Sequence, residues 1–225
     1  MKRLIGTLAV AAGLTAIQTH GQSEPSTEAA VTTNAPPQVL AEPEDGQWSV
    51  SASVYTYIVP DDSDYAQPTI TYDRGWLHLE ARYNYEALET GSAWVGYNFG
   101  GGEKLAWEFT PMLGGVFGDT TGIAPGYKGS VSWWKLNLYS EGEYVFNTDD
   151  SSESFFYNWS ELTLVPVDWF RFGLVTQRTR VYETDRDIQR GLLVGFSFKK
   201  LDLTTYVLNP DDSKPTVVVA VAFSF

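Results

Sequence analysis

The sequence predicts an all-β fold, an antiparallel up-and-down β-barrel of about twelve strands, with ten also possible. Three observations lead to this prediction. From Gln47 onward, no window shows the spacing of an amphipathic helix. Large apolar residues instead alternate with small or polar ones, which is the two-residue period of a strand. Groups of turn-forming residues separate the alternating segments at regular intervals.

Two kinds of connection alternate between the predicted strands. Tight turns such as 73–76 and 133–135 alternate with acidic and mostly longer loops such as 147–153 and 183–187. Short turns at one end and longer loops at the other are typical of the connections in a transmembrane β-barrel. An even strand number then brings both ends of the barrel chain to the short-turn end. The predicted strands are 47–58, 66–73, 76–85, 92–99, 105–117, 121–134, 135–147, 153–166, 169–182, 189–199, 201–209 and 215–225.

The chain before the barrel carries no strand pattern. A basic start at Lys2 and Arg3, followed by a short apolar run, is typical of a secretory signal peptide. The run is too short, by roughly five residues, to cross a bilayer as a helix. We therefore assign 1–21 to a signal peptide. The segment 22–46 is rich in Ser, Thr, Ala, Pro and Glu and predicts a disordered linker, which leads into the barrel at 47–225.

The last predicted strand, 215–225, has two unlike faces. Large residues alternate with small ones along it, and the large face ends in Phe223 and Phe225. An alternating strand with a terminal aromatic residue resembles the last strand of bacterial outer-membrane β-barrel proteins. The resemblance is one of architecture, covers 47–225, and points to no particular member of that superfamily.

This resemblance implies a location and a set of partners. It implies the bacterial outer membrane, with the linker and both chain termini in the periplasm. The outer wall of the barrel would contact membrane lipid and lipopolysaccharide. The barrel assembly machinery would read the C-terminal strand, with Phe223 and Phe225 as the assembly signal.

The alternation also predicts which charges face the interior of the barrel. In segments such as 76–85 and 105–117, large apolar residues occupy one face, and small or polar residues with isolated charges occupy the other. We expect the second face to line the lumen, with His78 nearby. The charges assigned to the lumen are Glu80, Arg82, Glu108, Lys128, Glu141, Glu143, Glu161 and Arg171.

Two interpretations of these charges remain open. They line a narrow pore that selects solutes or ions, or they pair across the barrel as a polar plug. Twelve strands enclose little more than side chains and a thin channel, because eight-stranded barrels are already filled. Five acids against three bases favour a weak preference for cations.

Segments 153–166 and 169–182 break the simple pattern. If their alternation continues unchanged, five polar residues face outward near the outer rim, where they would touch lipopolysaccharide phosphates or another subunit. Alternatively, a β-bulge near Ser160 or Thr176 switches the faces and turns the arginines inward. The five residues are Asn158, Ser160, Thr176, Arg178 and Arg180.

Composition excludes several classes of function. A net charge of −13 argues against binding to nucleic acid. The chain has no cysteine, and His78 is the one histidine left after the signal peptide, so we expect no metal site and no cofactor. We predict no catalytic residue, because His78 fits neither of the known arrangements of outer-membrane hydrolases.

The sequence therefore predicts a narrow passive pore for small solutes or ions. One alternative is a closed structural or adhesive barrel that binds a partner or lipopolysaccharide through its acidic loops and outer rim. An outer-membrane enzyme is the least expected class. The solute and the oligomeric state are left open.

Overall fold

The structure is a computed structural model that describes residues 47–60, 62–181 and 187–225, with the side chains of Arg180, Val181 and Asp187 excepted. The predicted signal peptide and linker lie outside the described residues. The described residues form thirteen strands and one short 3-10 turn, Ser151–Glu153. The strands are β1 Ser49–Ile58, β2 Tyr65–Arg74, β3 Leu77–Tyr83, β4 Thr90–Tyr97, β5 Phe99–Gly101, β6 Leu105–Gly118, β7 Gly122–Trp133, β8 Leu136–Asn147, β9 Phe155–Val167, β10 Phe170–Val181, β11 Asp187–Phe198, β12 Leu201–Leu208 and β13 Thr216–Ser224.

These strands form one closed antiparallel sheet. Strands that follow one another pair along the wall, β1 pairs with β13, and β4 pairs with β6 to close the ring. The short strand β5 also pairs with β6, so β4 and β5 share one position in the wall, interrupted at Asn98. The wall therefore has twelve strand positions, and the predicted twelve-stranded barrel is confirmed. Closure leaves no free strand edge at which another chain could pair.

The two ends of the barrel differ. At the end that we call the short-turn end, two-residue turns join β2 to β3, β7 to β8, β9 to β10 and β11 to β12. One of these turns contains Gly75, whose φ of +55° suits glycine. At the opposite, long-loop end, the connections are mostly longer, as between Ile58 and Tyr65. The barrel chain starts and finishes at the short-turn end, where the Phe225 N–H donates to the Val50 carbonyl at 2.9 Å.

The outer wall is apolar. Leu113, Leu174 and Leu192 each expose more than half of their surface, and similar residues surround them on every side of the barrel. Soluble monomers rarely expose so continuous an apolar surface, whereas a transmembrane barrel presents such a band to lipid. Exposed tryptophans such as Trp134 and Trp169 lie at the short-turn end, as in the aromatic girdles of transmembrane barrels. Among the described residues, no α-helix is long and apolar enough to cross a membrane.

The pairing of β9 with β10 decides which side chains of these two strands point outward. Their register is continuous from Phe172 to Val181, and the one irregularity lies beside the turn, between Phe170 and Phe172. The alternative with a β-bulge near Ser160 or Thr176 is therefore wrong. The physical reason is that Ser160 pairs directly with Thr176, so two small polar residues meet on one face and no residue is left over.

Candidate functional site: a charged belt inside the barrel

The charges assigned to the lumen all lie on strands whose apolar neighbours point outward. On β6, for example, Trp107 and Phe109 are exposed on the outer wall, and Glu108 lies between them on the inner face. Residues of one strand point alternately to the two faces of the sheet, so the same rule places the others inside. The structure places Glu80 and Arg82 on β3, Glu108 on β6, Lys128 on β7, Glu141 and Glu143 on β8, Glu161 on β9 and Arg171 on β10.

Six of the inward charges meet in one cluster, which we call the charged belt. Glu80 forms ion pairs with both Arg82 and Lys128. The Arg82 Nη1 atom lies 2.8 Å from Glu143 Oε2 and 3.8 Å from Glu86 Oε1. Because Arg82 is on β3 and Glu143 is on β8, four strand positions further along the twelve-position wall, this pair crosses the interior between strands that are not neighbours. The belt consists of Glu80, Arg82, Glu86, Lys128, Glu141 and Glu143.

Aromatic side chains hold the belt in position. The Arg82 guanidinium carbon lies 4.0 Å from the ring centre of Tyr85 and 4.5 Å from that of Trp94, so two aromatic rings stack against the cation. The hydroxyl groups of Tyr85 and Tyr139 each donate to Glu141 at 2.7 Å. The belt is therefore a preorganised network rather than a loose collection of charges.

The belt is buried and carries more acids than bases. Water reaches 6% or less of the surface of Glu80, Arg82, Glu86, Glu141 and Glu143. Four carboxylates face two cations, which leaves two surplus negative charges when all the groups are ionised. One oxygen each of Glu86 and Glu143 is buried without a hydrogen-bond partner in the structure.

A second ionic cluster lies nearer the short-turn end. Arg171 donates two hydrogen bonds of 2.6 Å to the two oxygens of Asp202, in the bidentate geometry that favours arginine. Gly195 leaves room for this arginine, because a Cβ atom at that position would lie 2.7 Å from the guanidinium carbon. Ser197 also donates to Asp202 at 2.7 Å, so the carboxylate is held from two directions.

The interior toward the long-loop end is filled by apolar side chains. Tyr57, Phe155, Tyr157, Leu193 and Leu208 are each 2% exposed or less. Toward the short-turn end, in contrast, small side chains dominate the inner face, and Glu108 and Glu161 are partly exposed. In this conformation the described side chains fill the interior at the belt and above it. Below the belt most inner residues, such as Ser51 and Asn137, are also buried, and water reaches only a few positions such as Glu108 and Glu161.

Sequence reasoning missed three members of these networks. Glu86 lies between the predicted strands 76–85 and 92–99, but it folds inward, where Ser92 donates to it at 2.6 Å. Asp73 accepts from Asn98 at 2.9 Å and contacts His78 at 2.8 Å. Asp73 and Asp202 follow the alternation of their own strands, so the face rule would have found them, whereas no local signal indicates that Glu86 turns inward.

The five residues predicted near the outer rim lie on β9 and β10. Asn158, Ser160, Thr176 and Arg178 are on the outer wall, and of Arg180 only the place in β10 is described. Their side chains lie on the opposite face of the wall from those of the belt, although the Asn158 side chain donates to the Glu141 backbone carbonyl at 2.8 Å.

The predicted assembly signal lies at the short-turn end. Phe223 and Phe225 are exposed on the outer wall, with ring centres 4.9 Å apart. The geometry of the described residues adds no support for a metal site. In the described part of the chain, no group of three or more acidic or histidine side chains is arranged to hold a metal ion.

Comparison with solved structures identifies the architecture. The chain is similar to a structure described as KdgM porin, with a TM-score of 0.58 and 12% sequence identity over 78% of this chain and 99% of that chain. It has the fold of an outer-membrane porin. A second structure, KdgM porin in complex with disordered oligogalacturonate, gives a TM-score of 0.56 and 11% identity over 79% of this chain and 99% of that chain. No protein-family model matches the sequence, and no curated protein matches it.

Proposed function

We propose that the protein is an outer-membrane channel for small solutes or ions that prefers cations. Its short-turn end, where the barrel chain starts and finishes, would lie in the periplasm. The observation that carries this proposal is the charged belt. Charged groups inside a membrane protein are costly and typically mark the path of an ion. A barrel that needs only to be filled can use apolar side chains, as this one does toward its long-loop end.

The acid surplus of the belt supports the preference for cations. When all four carboxylates are ionised, the two in excess of Arg82 and Lys128 give this part of the interior a negative potential. Such rings of acidic side chains favour cations in channels. The Arg82–Glu143 pair bridges the barrel, so conduction requires this contact to separate and water to enter.

The acidic interior also bears on the class of solute. One similar structure is described as holding an oligogalacturonate, which is a chain of carboxylate sugars. A surplus of carboxylates repels a polyanion, so we do not extend that ligand to this chain. Small cations and uncharged solutes are the classes that we propose.

A second candidate function is a closed structural barrel. The observation that favours it is the apolar filling around Tyr157 and Leu208, both fully buried. In that case the belt would pair charges across the barrel as a plug, and the outer loops would carry the function. The two candidates differ in one measurable property, which is ionic current.

The test is conductance of the refolded protein in planar bilayers. We expect discrete current steps and, in a KCl gradient, a reversal potential on the cation-selective side. The double variant Glu141→Gln/Glu143→Gln should move the reversal potential toward zero, because it removes two negative charges from the belt. Glu103→Gln is the matched control, since Glu103 is exposed in a turn and its loss should leave selectivity unchanged. A correctly folded barrel that passes no current would refute the channel and support the closed barrel.

A further inference from the structure

A polar patch interrupts the apolar outer wall on β7 to β10. Asn158 donates to the Tyr127 hydroxyl at 3.0 Å and to Ser140 at 3.1 Å, and Ser140 and Ser160 share a hydrogen bond of 2.9 Å. Thr176 pairs with Ser160, and Arg178 pairs with Asn158 on the neighbouring strand. We call this set the wall patch: Tyr127, Ser140, Asn158, Ser160, Thr176 and Arg178.

The height of the wall patch can be read from the strands. Asn158 is nine residues above Val167, the last residue of β9 at the short-turn end. At about 3.3 Å per residue and a strand tilt of about 40°, this places Asn158 roughly 23 Å above that end, near the upper edge of an apolar band about 25 Å tall. Exposed Leu162 and Leu174 lie below the patch, on the same outer face. Asn158 and Arg178, the upper members of the wall patch, therefore sit where hydrocarbon gives way to lipid headgroups, whereas Ser140, four residues above Leu136, lies lower in the wall.

Arg178 is the charged member of the wall patch, and within the described ranges 47–60, 62–181 and 187–225 it forms no ion pair. Its guanidinium carbon lies 5.7 Å from the ring centre of Phe156, and its Nε atom is buried without a hydrogen-bond partner. Among the described residues, no carboxylate lies within ion-pair distance of Arg178, although such pairs form elsewhere on the same surface. A guanidinium on a lipid-facing wall requires an anion or water at its free donors.

The neighbouring strand β11 adds a second guanidinium to this surface. Arg190 pairs with Thr176 in the sheet, so it lies diagonally opposite Arg178. Arg190 is exposed and donates to Asp211 at 2.9 Å, and this hydrogen bond lowers the pKa of the Asp211 carboxyl below its ordinary value. Arg190 is thus occupied by a partner, whereas Arg178 has no acidic partner among the described residues.

We propose that the wall patch binds the phosphorylated headgroup of an outer-leaflet lipid, with Arg178 as the cation that contacts the phosphate. Guanidinium groups bind phosphate through paired, charge-assisted hydrogen bonds. The inference rests on the proposed orientation, with the long-loop end outside, and not on channel activity.

A second copy of the chain fits this surface less well. Four neutral members of the wall patch already form hydrogen bonds with one another, so they do not require polar groups from a partner; they are Tyr127, Ser140, Asn158 and Ser160. In a two-fold symmetric dimer the same patch would meet itself. That arrangement would bring two Arg178 side chains together without an acid between them.

The test measures lipid binding to the refolded protein in neutral detergent micelles. The probes are lipid A with both phosphates and the same lipid after chemical removal of its phosphates, and binding is read by native mass spectrometry. We expect the phosphorylated probe to bind preferentially to the wild type. Arg178→Gln should bind it about tenfold more weakly, which corresponds to the loss of one charge-assisted hydrogen bond.

Arg74→Gln is the matched control for this experiment. Arg74 is also an exposed arginine beside an aromatic ring, that of Trp48, but it lies at the short-turn end. Its variant should bind the probe like the wild type. Equal affinity of Arg178→Gln and wild type, equal weakening by Arg74→Gln, or no discrimination between the two probes would each overturn the proposal. A change in oligomeric state without a change in lipid binding would overturn it in favour of a second copy.

Discussion

At the scale of single residues, glycines on the inner face decide whether the belt can form. The Trp94 ring that stacks on Arg82 lies flat against the inner face of β6 and β7. A Cβ atom at Gly114 would overlap this ring, and one at Gly126 would lie 3.0 Å from it. Because neither glycine has a Cβ atom, the Trp94 ring that stacks on Arg82 has room to pack against them.

This geometry predicts the effect of adding one methyl group. Gly114→Ala should lower the free energy of unfolding by about 1–3 kcal/mol, because a packed ring must move to admit the new atom. Gly115→Ala is the control, since a Cβ atom at that neighbouring position meets nothing within 4 Å. Urea titration of both variants in lipid bilayers measures the difference. Equal stability of the two variants would contradict the packing described for Trp94.

At the scale of elements, β13 is the last strand of the chain, and it pairs with the first strand, β1. It pairs with β12 over eight residues and with β1 over eight more, so its backbone is fully paired on both sides. Its inner face carries small residues such as Ala220 and Ala222, while Phe223 and Phe225 project outward at its end. These two rings contact each other rather than the core, so their loss should not disturb the folded barrel.

The position of Phe225 separates folding from assembly. We predict that Phe225→Ala refolds in detergent like the wild type but accumulates at a lower level in the outer membrane of cells, because the assembly signal is weakened. Phe198→Ala is the control, because Phe198 is a similarly exposed aromatic residue at the same end of the barrel. Fractionation of cells that express each variant provides the measurement. Equal membrane levels for both variants would contradict a special role of the last residue.

At the scale of the whole molecule, closure couples all the strands. The ring has no free edge, and pairs across the interior such as Arg82 with Glu143 join strands that are not neighbours in the sheet. Opening the sheet in a lipid environment would expose unpaired backbone groups without water to solvate them. Loss of one strand pair therefore threatens the entire barrel rather than one region.

This coupling predicts heat-modifiable migration on gels. Unboiled protein in mild detergent should run as a compact barrel, and boiled protein should run at a different position, because only heat separates the closed sheet. Intermediate temperatures should give two bands rather than a gradual shift, since the ring opens as a unit. Identical migration before and after boiling would contradict a closed, stable barrel.

The sequence by itself determined the strands, the turns and the two faces of the wall. Alternation is a local property with a period of two residues, so it can be read without knowing which strands pair. It placed the charges from Glu80 to Arg171 on the inner face, and the same rule applied further would have added Asp73 and Asp202. It also put Asn158 and Arg178 on the outer wall, although it left a β-bulge as an alternative that the pairing of β9 with β10 excludes.

The tertiary structure alone decided what happens across the barrel. The pairing of Arg82 with Glu143 joins residues 61 positions apart, and it depends on where the ring closes. Glu86 enters the belt because the loop after β3 folds inward, which no local period indicates. The filling around Tyr157 likewise depends on the diameter of the closed ring. Distances across a barrel follow from strand number and stagger, which belong to the whole sheet and not to any one strand.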